Sequence, residues 1–306
     1  MAMKILVTGG SGLIGRHVVA ELSARGIGVV SYDAVPASPT ATNVMSITGD
    51  IRDREFLRQT IQESGVDRVI HCAAMLQASC ENDPAGAVAI NATGTSNVLD
   101  AAQSVGVRRV VLASSIAVYG RTRYTPIDEN HPCEPNGIYA STKLMGEHLA
   151  KAYERAGSIE VFALRLGLVY GPAVVRSKGV AAAFTSILLG AVRDRAVRIP
   201  SDEQTLPLTY VSDAAACLVL ACLETPAPPH RIYNVSGESH TLAEIAALLC
   251  RLYPGTQIVR RESPVVSLLN GELDITLART ELGYAPQVQF EEGIRRACVY
   301  LESLRS

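Results

Sequence analysis

The sequence has no excess of either charge. Its 306 residues carry 28 lysines and arginines against 30 aspartates and glutamates, a formal net charge of −2. Without a net positive field nothing holds a polyanion, which argues against nucleic acid or an anionic membrane as partner. Long apolar runs are missing too. The longest, residues 214–223, falls well short of the roughly 20 residues a spanning helix needs. The opening stretch Lys4–Thr8 is too short for a signal peptide and runs straight into glycines. The seven cysteines are an odd number without a Cys-x-x-Cys pair, which excludes a dense disulfide framework. They read as reduced residues in a cytoplasmic protein, several of them buried as small hydrophobes. The six histidines show no metal spacing, so no metal is expected, and His71 reads as a satisfied core histidine. What the chain does have is a 48% apolar content, enough to bury a large core.

The first half alternates β-branched runs with helical periodicity. Strands are expected at residues 3–8, 28–33, 44–49, 66–74, 107–115 and 160–168. Helices are expected at 13–25, 53–64, 84–105 and 138–156. Alternation of this kind implies βαβ units, parallel pairing and right-handed crossovers. After Tyr170-Gly171-Pro172 the rhythm changes, with helices expected at 180–192, 213–223, 241–252, 277–282 and 290–302. Only two short strands, 232–235 and 257–259, are read there. The fold expected is α/β: a Rossmann-like, doubly wound parallel sheet over residues 1–170. Residues 171–306 mainly form a small C-terminal substrate-binding lobe, with some segments returning to the main sheet.

Between the first strand and first helix stands Gly9-Gly10-Ser11-Gly12-Leu13-Ile14-Gly15. A pyrophosphate needs a tight turn, close backbone approach, and near contact of helix with sheet; missing Cβ atoms meet all three. The helix N-terminus adds N–H donors and a positive dipole. Glycines alone are weak evidence, and their placement gives them weight. Asp33 follows Gly15 by 18 residues, near the ~20 expected of an acid that bonds the adenosine ribose. Its carboxylate would repel a 2′-phosphate, and Ser31, Tyr32 and Ala34 bring no cation beside it, which favours NAD over NADP. Asp50-Ile51 and Ala73-Ala74 follow the third and fourth strands, whose C-terminal ends line the ligand crevice of such a sheet.

Tyr139 and Lys143, four apart at the start of a helix, project from one face. Only four lysines occur in the chain, so a lysine at 143 is informative. It can sit beneath a ribose and donate compactly. A phenol is a poor base at neutral pH, but a nearby ammonium and a positive nicotinamide ring favour its ionised form. Tyr139 is therefore a candidate acid/base, and Ser115, at a strand end on the same crevice, a candidate to hold the substrate oxygen. A Tyr-x-x-x-Lys spacing is common by chance; beside a nucleotide loop and a strand-end hydroxyl it points to catalysis.

These segments resemble the extended short-chain dehydrogenase/reductases, the NAD-dependent epimerase/dehydratase group. The similarity extends through Asn91-Ala92-Thr93-Gly94-Thr95, Val169-Tyr170-Gly171-Pro172, Tyr210-Val211-Ser212-Asp213 and Leu282-Gly283-Tyr284. It implies a catalytic set of Ser115, Tyr139 and Lys143. It implies that Asn91 contacts the cofactor or a water chain to it, that Asp50 and Ile51 hold adenine, and that Asp33 holds the ribose hydroxyls. It also implies a homodimer through the helices at 84–105 and 138–156. Two departures bear on substrate. Sugar-nucleotide epimerases of this kind carry an Asn before Val-Tyr-Gly-Pro and an Arg before the Tyr-Val-x-Asp element. Here Arg165-Leu166-Gly167-Leu168 and Thr205-Leu206-Pro207-Leu208-Thr209 offer neither group to a diphosphate. Ile116-Ala117 replace the acid pair of sugar dehydratases, which argues against dehydration.

The expectation is an NAD-dependent oxidoreductase acting on a secondary alcohol or ketone of a small sugar, polyol or hydroxy acid. The alternatives are an NAD-retaining sugar-nucleotide 4-epimerase and, outside enzymes, an NAD-sensing regulatory module. Arg176, Lys178 and Arg193 could meet an anionic substrate, and residues 177–179 could cover it.

Overall fold

The computed structural model describes residues 3–38, 41–157, 159–173, 179–201, 203–260 and 270–304. The chain opens as β1 (Lys4–Thr8), α1 (Leu13–Ala24), β2 (Gly28–Asp33), β3 (Val44–Thr48), α2 (Arg54–Ser64) and β4 (Arg68–His71). Three helices follow, α3 (Gln77–Asn82), α4 (Pro84–Ala87) and α5 (Thr95–Ser104), then β5 (Arg109–Ser115), α6 (Ile138–Arg155) and β6 (Glu160–Leu166). The second half holds β7 (Leu168–Tyr170), α7 (Val180–Leu189), β8 (Ala196–Ile199), β9 (Thr205–Tyr210), α8 (Val211–Leu223) and β10 (Ile232–Val235). It ends with β11 (Ser239–Thr241), α9 (Leu242–Leu252), β12 (Gln257–Arg260), α10 (Thr276–Leu282) and α11 (Phe290–Ser303).

Seven strands form one parallel sheet in the order β10-β6-β5-β4-β1-β2-β3. The order reverses direction at β1 and β4, the point at which a doubly wound sheet opens a crevice beyond its strand ends. This is the Rossmann-like architecture expected. Alternation along each strand feeds two apolar layers: Ile5 and Val7 of β1 join one cluster with Val18, Leu22 and Leu218. Leu6 joins the opposite one with Leu57, Ile61, Val98 and Leu99. Both faces are thus covered by helices, as parallel sheets require. A third cluster lies in the second half, where α7, α9 and α11 pack with β8 and β9. Two further sheets belong there, β11-β9-β7 and β12-β8.

Several expectations are corrected. The helix read over 84–105 is three pieces, with Val88–Gly94 wound as a π-helical turn between α4 and α5. α3 was not anticipated. The strand read over 160–168 stops at Leu166, and β7 resumes at Leu168 in another sheet. β8, β9 and β11 were missed; β9 contains Pro207, which pattern reading treats as a strand breaker. It is tolerated because in this pairing Leu208, not Pro207, donates its N–H to Glu238 O.

Candidate active site

The sheet's switch point opens a cleft of about 340 Å³. One wall is the turn from β1 into α1. Gly9 has φ +69°, and a Cβ there would lie 2.6 Å from the Ala73 nitrogen, so the two strand ends meet only because that atom is missing. At Gly15 a Cβ would collide with the carbonyl of Gly9. The helix is therefore drawn onto the turn, with Gly12 N–H bonded to Gly9 O at 3.0 Å. α1 starts at Leu13 with no side-chain cap, and Gly9, Gly12, Leu13, Ile14 and Gly15 all line the cleft. First-turn N–H groups have no partner inside their own helix, and this is the donor set a pyrophosphate uses.

Asp33, at the end of β2, accepts from Ser11 N–H at 3.0 Å and from Val35 N–H at 2.9 Å. A carboxylate has about four acceptor positions, so capacity for two ribose hydroxyls remains. Ala74 lines the cleft; Asp33, Asp50, Ile51, Ala73 and Asn91 do not. Asp50 is ion-paired with Arg52 at 2.6 Å, and the guanidinium beside it holds its carboxyl below the usual range against a smaller burial effect. Ile51 is buried in the core beneath Gly94. Asn91 sits in the π-helical turn and clamps the loop after β4. Its Oδ1 accepts from Met75 N–H at 2.7 Å, while its Nδ2 donates to Met75 O at 3.0 Å and Thr142 Oγ1 at 3.2 Å. Irregular turns of this kind recur at functional sites because they re-aim one side chain.

Ser115, Tyr139 and Lys143 converge on the cleft. Ser115 ends β5, and its Oγ accepts from Ala117 N–H at 3.2 Å. Tyr139 stands in the first turn of α6, whose N-terminus is capped from α3 by Glu81 Oε1, 2.9 Å from Ile138 N. Burial pushes the Tyr139 phenol up to about 12, while its hydrogen bond with Ser115 pulls the other way. Burial drives the Lys143 ammonium down to about 8. Lys143 Nζ donates to Ala113 O at 2.8 Å and lies 5.8 Å from the Tyr139 ring centre. The ammonium therefore acts through position; the lowering of Tyr139 by Lys143 expected from the spacing is not what dominates this phenol.

The end of the cleft away from the glycine turn is apolar among the described residues. Leu168 and Val169 of β7, Leu206 and Pro207 of β9, and Val180 and Ala181 of α7 line it, with Gln77 at the rim. Among the described residues that line the cleft, Lys143 is the one charged side chain. Arg176 and Lys178 lie outside the described residues, as does the proposed cover apart from Gly179. Arg193 is exposed and does not line the cleft. Glu129 Oε1 is taken by Asn234 N–H at 2.7 Å. Sequence reasoning missed Gln77, Glu81 and Glu147; only Glu147, four residues past Lys143, carried a spacing signal.

A glycine turn under a helix N-terminus, an acid at the next strand end and a Ser/Tyr/Lys set define a dinucleotide-dependent hydride-transfer enzyme. The chain belongs to the NAD-dependent epimerase/dehydratase family, whose sequence model matches residues 5–236. It is 32% identical to a putative UDP-glucose 4-epimerase of Methanocaldococcus jannaschii, over 98% of each chain. Its fold is similar to the Thermus thermophilus UDP-glucose 4-epimerase in complex with NAD (TM-score 0.83, 29% identity, 97% of this chain and 98% of that one). It is also similar to a partial consensus L-threonine 3-dehydrogenase (TM-score 0.87, 27% identity, 98% and 99%).

Proposed function

We propose that the protein is an NAD-dependent dehydrogenase acting on a secondary alcohol or ketone of a small sugar, polyol or hydroxy acid. The observation that carries this reading is the Leu168, Leu206 and Pro207 lining of the substrate end. These are the places where a nucleotide diphosphate would need an amide and a cation, and desolvating phosphates against leucine is costly.

The residues present fit the cofactor. The turn of Gly9, Gly12, Leu13, Ile14 and Gly15 would take the pyrophosphate, and Asp33 the adenosine ribose. Asp50 and Ile51 would border adenine, and Ala73 and Ala74 would allow close approach. Asn91 would act through the loop it clamps, and Lys143 would reach the second ribose. Held there, NAD would supply the hydride acceptor for oxidation of the substrate carbon or, in reduced form, the donor. Ser115 holds the substrate oxygen, and Tyr139 takes the hydroxyl proton in oxidation or gives it back in reduction. With its phenol raised by burial, Tyr139 is set up as the donor; the oxidative direction draws on positive charge brought close to it.

The test follows NADH formation with a panel of sugars, polyols, uronates and hydroxy acids beside a UDP-galactose epimerase assay. Turnover of a panel member with dissociable NAD supports the proposal. UDP-galactose epimerisation by protein that keeps NAD through desalting replaces it with the second reading, a sugar-nucleotide 4-epimerase, which the 32% identical relative favours. We further propose that the second-half sheets form a substrate lobe and that the chain pairs as a homodimer through α5 and α6, where Met145 is half exposed. A cytoplasmic setting is supported by seven free cysteines. Among the described residues, no helix is long and apolar enough to cross a membrane.

A further inference from the structure

Behind the cleft lies a buried ion pair that the catalytic reading does not use. Glu147 on α6 and Arg165 on β6 are 2% and 3% exposed. Arg165 grips the carboxylate along one edge, Nε to Oε1 at 3.0 Å and Nη2 to Oε2 at 2.7 Å. Its remaining nitrogen donates to Tyr119 OH at 2.9 Å and Glu129 O at 3.2 Å, and its plane covers the Tyr119 ring at 4.8 Å. The guanidinium is thereby fixed by partners on three sides. Burial works against its charge, and Glu147 more than offsets this, holding Arg165 above its ordinary range.

The carboxylate has one more partner, Ser114 Oγ, which donates to Oε1 at 2.7 Å. Tyr139, Lys143 and Glu147 fall on one face of α6 at intervals of four. Each engages a different residue at the end of β5. Tyr139 bonds the Ser115 hydroxyl, Lys143 the Ala113 carbonyl, and Glu147 the Ser114 hydroxyl. Ser114 lines the cleft as Ala113 and Ser115 do, but Glu147, unlike Tyr139 and Lys143, does not, and it is the one anchored to a neighbouring strand. We propose that the Glu147–Arg165 pair is a positioning device, fixing the register of α6 on β5 so that Lys143 and Tyr139 meet the strand end in one arrangement.

The physical argument is one of direction. A buried ion pair is a poor source of stability, because desolvation consumes most of its Coulomb energy and apolar residues of similar volume often serve as well. What apolar packing does not supply is a two-point, planar constraint on translation and rotation. Catalytic sets require that constraint, since a displacement of about 1 Å can cost about 100-fold in rate. The inference rests on Lys143 and Tyr139 as the working groups, a reading tested separately by Tyr139→Phe.

The experiment needs no substrate. The chain has four lysines, so competitive acetylation of Lys143 can be followed peptide by peptide against pH, with Lys151 farther along α6 as the internal standard. In the wild type Lys143 should label with a midpoint near 8. In Glu147→Leu/Arg165→Met, which fills the same space without charge, the protein should fold and bind NAD. Its Lys143 midpoint should nevertheless rise toward the ordinary lysine value of about 10.4 as α6 loosens and water reaches an amine that burial had held down. A Lys143 midpoint unchanged in the folded variant would overturn the proposal. Should this double variant not fold, Glu147→Gln/Arg165→Gln, which also removes both charges while keeping polar contact, decides. Once a substrate is in hand, kcat should fall about 10- to 100-fold with NAD affinity kept.

Discussion

His71 shows how much of this site is decided by single hydrogen bonds. Thr95 Oγ1 spends its proton on Asn91 O at 2.6 Å, so it can only accept from His71 Nε2 at 3.0 Å. Burial keeps the ring neutral, so Nδ1 is then the acceptor for Thr8 Oγ1 at 2.6 Å and one tautomer is selected. Burial, helped by the Lys143 charge, lowers its pKa to about 3. Between the unfolded value of 6.5 and about 3 the unfolded chain binds the extra proton. The contribution is therefore whole above pH 6.5 and is lost as pH falls through that window. His71→Gln should unfold at lower urea at neutral pH, by about 1–3 kcal/mol for the lost bonds. It should also show a flatter stability profile from pH 6.5 to 4 than the wild type; parallel profiles would remove the assignment. Tyr139 is the residue on which chemistry turns. Tyr139→Phe keeps the ring and its packing, so calorimetry should find NAD affinity unchanged while turnover falls by 100-fold or more, as expected for a lost acid/base. Near-normal turnover would take Tyr139 out of the mechanism.

The elements divide by what a local pattern can and cannot carry. The β1–α1 turn, Asp33, and the Tyr139/Lys143 pair were legible because spacing within one turn or one strand fixes their geometry. The break of residues 84–105 into α4, a π-helical turn and α5 was not, since it answers to Asn91 reaching Met75, a contact between segments. β9 was hidden by Pro207, and Gln77 and Glu81 by the shortness of α3. Least legible were two arginines on adjacent strands, Arg68 and Arg109, paired in register and nearly fully buried. Composition places such residues outside; here they close the C-terminus of α8. Arg109 Nη1 donates to Ala221 O at 2.9 Å and Glu224 O at 2.6 Å, Arg68 bonds Cys222 O, and Arg109 pairs with Glu160 at 2.7 Å. Carbonyls left over at a helix end and the negative pole of its dipole both call for cations. Arg109→Met should therefore cost about 2–4 kcal/mol in urea unfolding, from the buried carbonyls left without a donor, since Glu160 is partly exposed and water can take it over. NAD affinity should hold, because Arg109 starts β5 and Ser115 ends it, about 20 Å away at ~3.3 Å per residue. A loss below about 1 kcal/mol would show that water replaces the arginine freely.

Across the whole molecule, the strand that leaves the main sheet for the second sheet does so through one residue. β6 ends in the main sheet at Leu166 and β7 begins in the second sheet at Leu168, leaving Gly167 as the joint. Its N–H is held by Val235 O at 2.8 Å, the last residue of β10. A Cβ on Gly167 would lie 2.6 Å from Thr209 Oγ1 and 2.7 Å from Pro207 O, so β9 rests directly on the joint's backbone. The substrate end of the cleft is thereby built from strands registered on the sheet that carries Ser115, and the apolar wall moves only if this contact opens. Gly167→Ala inserts one carbon where no room exists, an overpacking cost of about 1–3 kcal/mol. Because Leu206 and Pro207 line the substrate end and the glycine turn lies across the cleft, the effect should divide. Thermal unfolding should come several degrees earlier and KM for substrate should rise about 10-fold or more. NAD affinity by calorimetry should stay within about 2-fold. Equal loss of substrate and NAD binding would mean that the joint holds the entire sheet edge, and the separation of cofactor wall from substrate wall would fall with it.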